Sequence, residues 1–212
     1  MAPKKRGGRH QLAIVSVCPM GYIATMPAYN LLSVVIETAR LVMRPVSRDY
    51  MAEIFAAFTP EVCRNMFPQP AVQIAETLDF IDRSRAKMAT GEELAVSIFA
   101  RADGAFLGGA GLHDLPSGVP EAGIWIKLPA HGHGFGLEAV TGLVSWAAQT
   151  LGVPEVRYPV MIENWPSRRI PERLGGTIVR QFRKANAAGV VRDLVEYVIP
   201  VAVSCRRKIP ED

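Results

Sequence analysis

The sequence predicts a mixed α/β domain: a central sheet of about seven strands flanked by helices. Two observations carry this. Short segments of period-two alternation and stripes of helical period take turns along the chain from about residue 38 to residue 199. In the middle, a strand, three spaced glycines and an amphipathic helix follow one another without interruption from Pro120 to Gly152. With 212 residues and 49% hydrophobic content, one domain with a sizeable core is expected.

Residues 1–34 read differently from the rest. A basic start precedes an apolar run from Leu12 to Ile23, broken by Pro19 and Gly21. The pattern resembles a secretory leader, but no small-x-small cleavage site follows and the run is short for a membrane span. The expectation is an N-terminal extension over 1–34, outside the fold, with translation beginning at Met20 or Met26, and a domain over 35–212. The net charge of +4 equals the contribution of Lys4, Lys5, Arg6 and Arg9, leaving 20 basic against 20 acidic residues. The body is thus neutral, and no nucleic-acid partner is expected. Cys18, Cys63 and Cys205 are scattered and odd in number, which fits reduced thiols and a cytoplasmic protein.

Within the domain, a strand is expected near Thr38 to Met43. Ser47 then caps a helix with Met51, Ile54, Phe55 and Phe58 inward. Pro68 and Pro70 make the next segment a loop, and a second helix turns Ile74, Leu78 and Ile81 to one face. Leu94, Val96 and Ile98 alternate as a strand, Asp103-Gly104 is a hairpin turn, and the returning strand Phe106 to Leu112 is glycine-rich. Glycines at 108, 109 and 111 imply close approach of another backbone or a ligand. The central strand follows, with Ala122, Ile124, Ile126 and Leu128 on one face, ended by Pro129. Its helix carries Leu137, Val140, Leu143, Val144 and Ala147 inward and stops at Gly152. A strand from Val156 to Ile162, a short helix near Ser167 to Leu174, and strands near Thr177 to Phe182 and Leu194 to Ile199 complete the chain.

The order strand, glycine loop, helix makes an anion site. The first N–H groups of a helix have no partner within it, and the macrodipole adds partial positive charge. Glycines admit phosphate oxygens to the backbone, although they also serve a tight turn. Leu137 and Glu138 stand where a Walker A loop needs Lys and Ser or Thr, and G-x-G-x-G is one residue short of the dinucleotide fingerprint.

His131-Gly132-His133-Gly134-Phe135-Gly136 resembles motif A of the GNAT acyltransferase superfamily, Q/R-x-x-G-x-G/A, with histidine at its first position. Glu37-Thr38-Ala39-Arg40-Leu41-Val42-Met43-Arg44-Pro45 resembles the opening strand of its RimJ/RimL-like branch. Glu121-Ala122-Gly123-Ile124-Trp125-Ile126 is similar to that branch's E-x-G-Y-W-I strand. Asn164-Trp165-Pro166-Ser167, then Glu172-Arg173-Leu174-Gly175-Gly176, is similar to its N-x-x-S…E-K-L-G-F segment. The resemblance implies the GNAT fold, splayed at the central strand, and transfer of acetyl from acetyl-CoA to a primary amine in a ternary complex. It implies that the coenzyme's pyrophosphate lies on the N–H groups of residues 131–136, helped by the His131 side chain. The backbone of Ile126, Lys127 and Leu128 would pair with the pantetheine arm, one N–H polarising the thioester. Asn164 would reach the same arm or cap its helix. No metal and no membrane are implied, and a homodimer is common among relatives.

An alkylamine of pKa about 10.4 is neutral in about one molecule in 2,500 at pH 7, costing about 4.6 kcal/mol; a peptide α-amine costs about 1.0–1.4 kcal/mol. Glu121 is the expected base, directly or through water, unless it is only a solvated strand end. His113 is the second candidate and an acceptor-pocket residue. Relatives use a tyrosine as general acid where this chain has Pro171, so Ser167 takes that role or caps its helix. Two readings compete: a metal site of His131, His133, His113 and Asp114, and an acyl-CoA binder without catalysis.

Overall fold

The structure, a computed structural model, describes residues 15–17, 23–25, 30–186 and 189–201. Readings made for the basic start, Cys18, Cys205, Met20, Met26 and the far C-terminus lie outside these residues. Strands β1 (Val15–Val17) and β2 (Ile23–Thr25) pair antiparallel in a sheet of their own. A 3₁₀ turn at Leu31–Ser33, capped by the Asn30 side chain, buries Leu31 in the core, so the packed body reaches ahead of the boundary expected at residue 35.

Eight strands form the main sheet: β3 (Ile36–Glu37), β4 (Leu41–Pro45), β5 (Leu94–Ala100), β6 (Phe106–His113), β7 (Glu121–Ile126), β8 (Glu155–Met161), β9 (Thr177–Ala185) and β10 (Val191–Pro200). Their order is β3-β4-β5-β6-β7-β8-β10-β9. The strand beyond the seven expected is β3, whose two residues are too short for alternation to register. All neighbours are antiparallel except β7 and β8. That parallel pair is held by one Cα register, Glu121 with Arg157, and by the Arg157 N–H donating to the Pro120 carbonyl at 2.8 Å. Beyond that point β8 parts from β7, and the sheet opens at its centre.

The helices are α1 (Met51–Ala57), α2 (Pro60–Cys63), α3 (Ile74–Thr90), α4 (Phe135–Trp146) and α5 (Trp165–Arg173). Strand alternation sorts them onto two faces. Leu94, Val96, Leu107, Leu112 and Ala122 pack with Val140 and Leu143 of α4, whereas Phe99, Phe106 and Trp125 pack with Ile54 of α1 and Ile81 of α3.

Several expectations change. Ser47 caps a 3₁₀ turn at Arg48–Tyr50 that leads into α1, not α1 itself. On α3 the buried stripe is Thr77, Ile81, Ser84 and Met88, while Ile74 is 44% exposed. Two small polar residues belong to that stripe, and a search for apolar side chains passes over them. Leu128 does not share the face of Ile126: Pro129 turns the chain into a 3₁₀ turn at Leu128–Ala130 and leaves Leu128 exposed. The short helix expected near Ser167 starts earlier, at Trp165; it holds Pro171, runs nine residues and ends two residues after that proline. A proline this near the C-terminus removes one bond, the N–H that would return to Ser167, and little helix remains to be broken.

Candidate active site

The chain leaves β7 through the Leu128–Ala130 turn, and Gly132 and Gly134 then adopt φ +79° and +77°. An L side chain in this left-handed conformation costs roughly 1–2 kcal/mol, which accounts for glycine at both positions. Gly136 does not share that conformation, and a Cβ there would meet Ile170 Cδ1 of α5 at 3.4 Å. The first i to i−4 bond of α4 runs from the Glu138 N–H to the Gly134 carbonyl at 3.2 Å. The N–H groups of Phe135, Gly136 and Leu137 therefore have no acceptor within the helix, and the exposed loop before them leaves the approach open. This chemistry fits a diphosphate.

A clasp from β4's leading turn fixes the loop from outside. Thr38 Oγ1 and the Arg40 N–H donate to Glu138 Oε1 at 2.6 and 2.7 Å, and Arg40 Nε donates to Oε2 at 2.7 Å. Arg40 Nη1 donates to the His133 carbonyl at 3.0 Å, and the guanidinium lies over the Phe135 ring. Burial alone would raise the Glu138 carboxyl, but the hydrogen bonds from Thr38 and Arg40 and the Arg40 charge outweigh it and hold the pKa below the ordinary value. Glu138 thus ties the opening motif to the glycine loop.

The His131 side chain also bonds within the turn. Its Nε2 donates to the Ile126 carbonyl at 2.7 Å, because the turn brings the ring back over the free end of β7. Lys127 is also engaged: its N–H donates to the Leu107 carbonyl at 2.8 Å, and its carbonyl accepts the Ala130 N–H at 2.9 Å. By alternation the Ile126 N–H points the other way, to the gap where β8 has parted. His133 stands edge-on to Phe135 in the loop.

Across the gap, Tyr158 of β8 and Ser167 of α5 share a hydrogen bond of 2.8 Å. Asn164 Oδ1 accepts the Ser167 N–H at 3.3 Å, so Asn164 makes the helix cap and leaves the Ser167 hydroxyl to Tyr158. Tyr158 is buried, and burial pushes its phenol up to about 12, against the lowering effect of the Ser167 bond.

The opposite face of β7 borders a cavity of about 380 Å³. Phe55 and Phe58 of α1, Met66 of the following loop and Phe80 of α3 wall it; Ser97, His113 and Trp125 face it from the sheet. Trp125 meets Phe58 edge-on at 4.9 Å between centroids. A Cβ at Gly109 would stand 2.7 Å from Trp125 Nε1, so the glycine there makes room for the indole. Ser97 Oγ is buried and has no hydrogen-bond partner among the described residues. His113 Nδ1 lies 3.3 Å from Glu93 Oε2.

Glu121 is not among the residues lining this cavity. It opens β7 between His113 and Arg157, and its charge helps hold Arg180 protonated, after the larger contribution of Glu196. The four groups of the competing metal reading do not converge. His131 bonds Ile126 and Asp114 bonds Arg157, and among the described residues no cluster of three metal-ligating side chains occurs. No described helix is long and apolar enough to cross a membrane. Four site residues escape the sequence reading: Arg40, Glu93, Ser97 and Tyr158. Only Arg40 had a signal, its place in the E-T-x-R motif.

Solved structures share this architecture. A GCN5-related N-acetyltransferase from Brucella melitensis superposes with a TM-score of 0.71 at 22% identity, over 84% of this chain and 82% of its own. A putative ribosomal-protein-serine acetyltransferase from Vibrio cholerae gives 0.67 at 19%, over 80% and 98%. RimL, a ribosomal L7/L12 α-N-protein acetyltransferase in complex with coenzyme A, gives 0.71 at 14%, over 80% and 99%. No curated protein matches the chain. The acetyltransferase (GNAT) domain model matches residues 40–177, which take in Arg40 and Glu138 of the clasp, the cavity strands, the glycine loop and α5. With that match covering well over half its length, the chain belongs to the GNAT family of acetyl-CoA-dependent acyltransferases.

Proposed function

We propose that the protein is an N-acetyltransferase of the RimJ/RimL-like kind, moving acetyl from acetyl-CoA to a primary amine by direct attack in a ternary complex. One observation carries this reading. Strand β7 borders the gap leading to the glycine loop through the Ile126 N–H, and borders the cavity through Gly123 and Trp125. A thioester on one side and an amine on the other are thereby brought to one strand, and holding the reactants together removes most of the entropic cost of their meeting.

The acetyl thioester supplies the electrophilic carbonyl carbon. The N–H groups opening α4 bind the diphosphate, and the Ile126 N–H is placed to hydrogen-bond the pantetheine arm or the thioester oxygen. In this reading Ser167, held by Tyr158, would donate a hydrogen bond to the departing sulfur. Burial pushes the Tyr158 phenol up to about 12, well above an ordinary thiol, which disfavours full proton transfer. Donation without transfer is the favoured role. The acceptor is a protein N-terminus or a small-molecule amine; RimL, which by its name acts on the α-amine of ribosomal L7/L12, supports the first. A homodimer in the cytoplasm is the accompanying expectation.

An amine panel that includes N-terminal peptides, amino acids and polyamines, read by release of coenzyme A thiol, tests the proposal. Turnover with one amine class is the expected result. Acetyl-CoA binding with no thiol released by any amine would make the protein an acyl-CoA binder instead.

A further inference from the structure

The proton acceptor for the amine was expected at Glu121, yet the cavity presents a different group. His113 ends β6 and reaches into the cavity, where its Nδ1 meets the carboxylate of Glu93 at 3.3 Å. Glu93 is a buried acid, 7% exposed, at the foot of β5. Burial alone would raise its pKa, but hydrogen bonds from His113 and Ser84 and the charges of His113 and Lys87 outweigh this and keep it below the ordinary value. An ionised Glu93 accepts only, so the neutral imidazole carries its proton on Nδ1 and leaves the Nε2 lone pair free.

Two glycines on adjacent strands lie against this ring: a Cβ on Gly111 or Gly123 would meet His113 Nε2 at an ordinary contact distance of 3.5 or 3.6 Å. Gly123 belongs to β7, the strand where coenzyme and acceptor meet. The buried Ser97 hydroxyl, without a hydrogen-bond partner among the described residues, lines the same cavity. The other charged groups near His113 are Lys87, which bonds Glu93 at 3.3 Å, Glu121 opposite it on β7, Asp114 beside it, which accepts from Arg157, and Arg83 and Glu76 on the cavity wall, Glu76 accepting the Val72 N–H.

We propose that His113 is the proton acceptor for the incoming amine and that Glu93 is its positioning residue. The step rests on the acetyl-transfer reading above. The ammonium gives one proton to Nε2, and the freed nitrogen lone pair attacks the thioester carbonyl carbon, forming the C–N bond. As the C–S bond breaks, its electron pair leaves on sulfur, which takes the remaining surplus proton of the nitrogen. The products are an amide and a thiol, and the imidazolium returns its proton to solvent.

Two measurements on the full chain test this. In kinetics, His113→Gln is expected to lower kcat about 100-fold or more, with the acetyl-CoA KM unchanged. Glu93→Gln is expected to lower kcat about tenfold, because the ring loses the carboxylate that fixes its Nδ1 proton. Undiminished kcat in His113→Gln, or a larger fall in Glu121→Gln, would overturn the proposal. Nitrogen NMR of the His113 ring gives a readout independent of turnover: the neutral ring is expected protonated at Nδ1, and to lose that preference in Glu93→Gln. A wild-type ring protonated at Nε2 overturns the assignment even if no amine is ever acetylated, whereas an inactive wild type with the Nδ1 tautomer contradicts only the acetyl-transfer reading.

Discussion

On the coenzyme side of β7, the acting groups are main-chain N–H donors placed by two left-handed glycines and a helix start, all within residues 126–138. On the acceptor side, the acting groups are side chains gathered from α1, the loop at 66–71, α3, β5, β6 and β7, spread over some eighty positions of the chain. The first half needs backbone geometry and tolerates varied side chains. The second is defined by its side chains and by the glycines that clear space for them. A ligand shared by a whole family is suitably held by the first kind of construction. A ligand that differs between relatives requires the second.

Substitutions can break this division or sharpen it. The largest effect is expected at Gly108, which pairs with Ile126 of β7. A Cβ there would stand 2.2 Å from the Trp125 carbonyl oxygen, a backbone atom that cannot step aside. Gly108→Ala should cost about 3 kcal/mol or more in urea unfolding, and an unchanged midpoint would mean that β6 and β7 are less closely joined than described. Gly134→Val places a β-branched residue at φ +77° and should weaken acetyl-CoA binding by at least about tenfold in calorimetry while leaving the amine pocket intact. Phe58→Ala is the mirror experiment. Losing the ring that packs on Trp125 should raise the amine KM roughly tenfold and leave the acetyl-CoA affinity unchanged. Were both ligands affected equally, the two halves would not be separable.

The smallest effect concerns the clasp. Because its carboxyl pKa lies below the unfolded value, Glu138 stabilises the fold above the ordinary glutamate range, and that contribution is lost as pH falls through the native value. Glu138→Gln should therefore lower stability by about 1 kcal/mol at pH 7, a figure discounted for the half-exposed Arg40 partner. The difference from wild type should close below about pH 4. A gap that persisted in acid would mean that packing, not charge, holds the loop.

The same division explains how much the sequence discloses. Glycine spacing, a strand-ending proline and a helix stripe are local, so the loop, its helix and the hairpin at Asp103-Gly104 are legible in order. Buried β5 is less so, since its residues are buried on both faces and alternation weakens. The cavity is not local at all. Glu93 and His113 are twenty positions apart, and nothing in either neighbourhood signals that β5 and β6 will place them together. Ser97 reads as an ordinary strand residue until its lack of a partner is seen. Tyr158 meets Ser167 from a neighbouring strand, and no pattern local to Ser167 signals that contact.

A crystal structure with acetyl-CoA bound tests the central claim most directly. The account predicts the diphosphate on the N–H groups that open α4, with the pantetheine arm in the gap between β7 and β8 beside the Ile126 N–H. A coenzyme lodged in the cavity beneath α1 and α3, with the glycine loop empty, would contradict it.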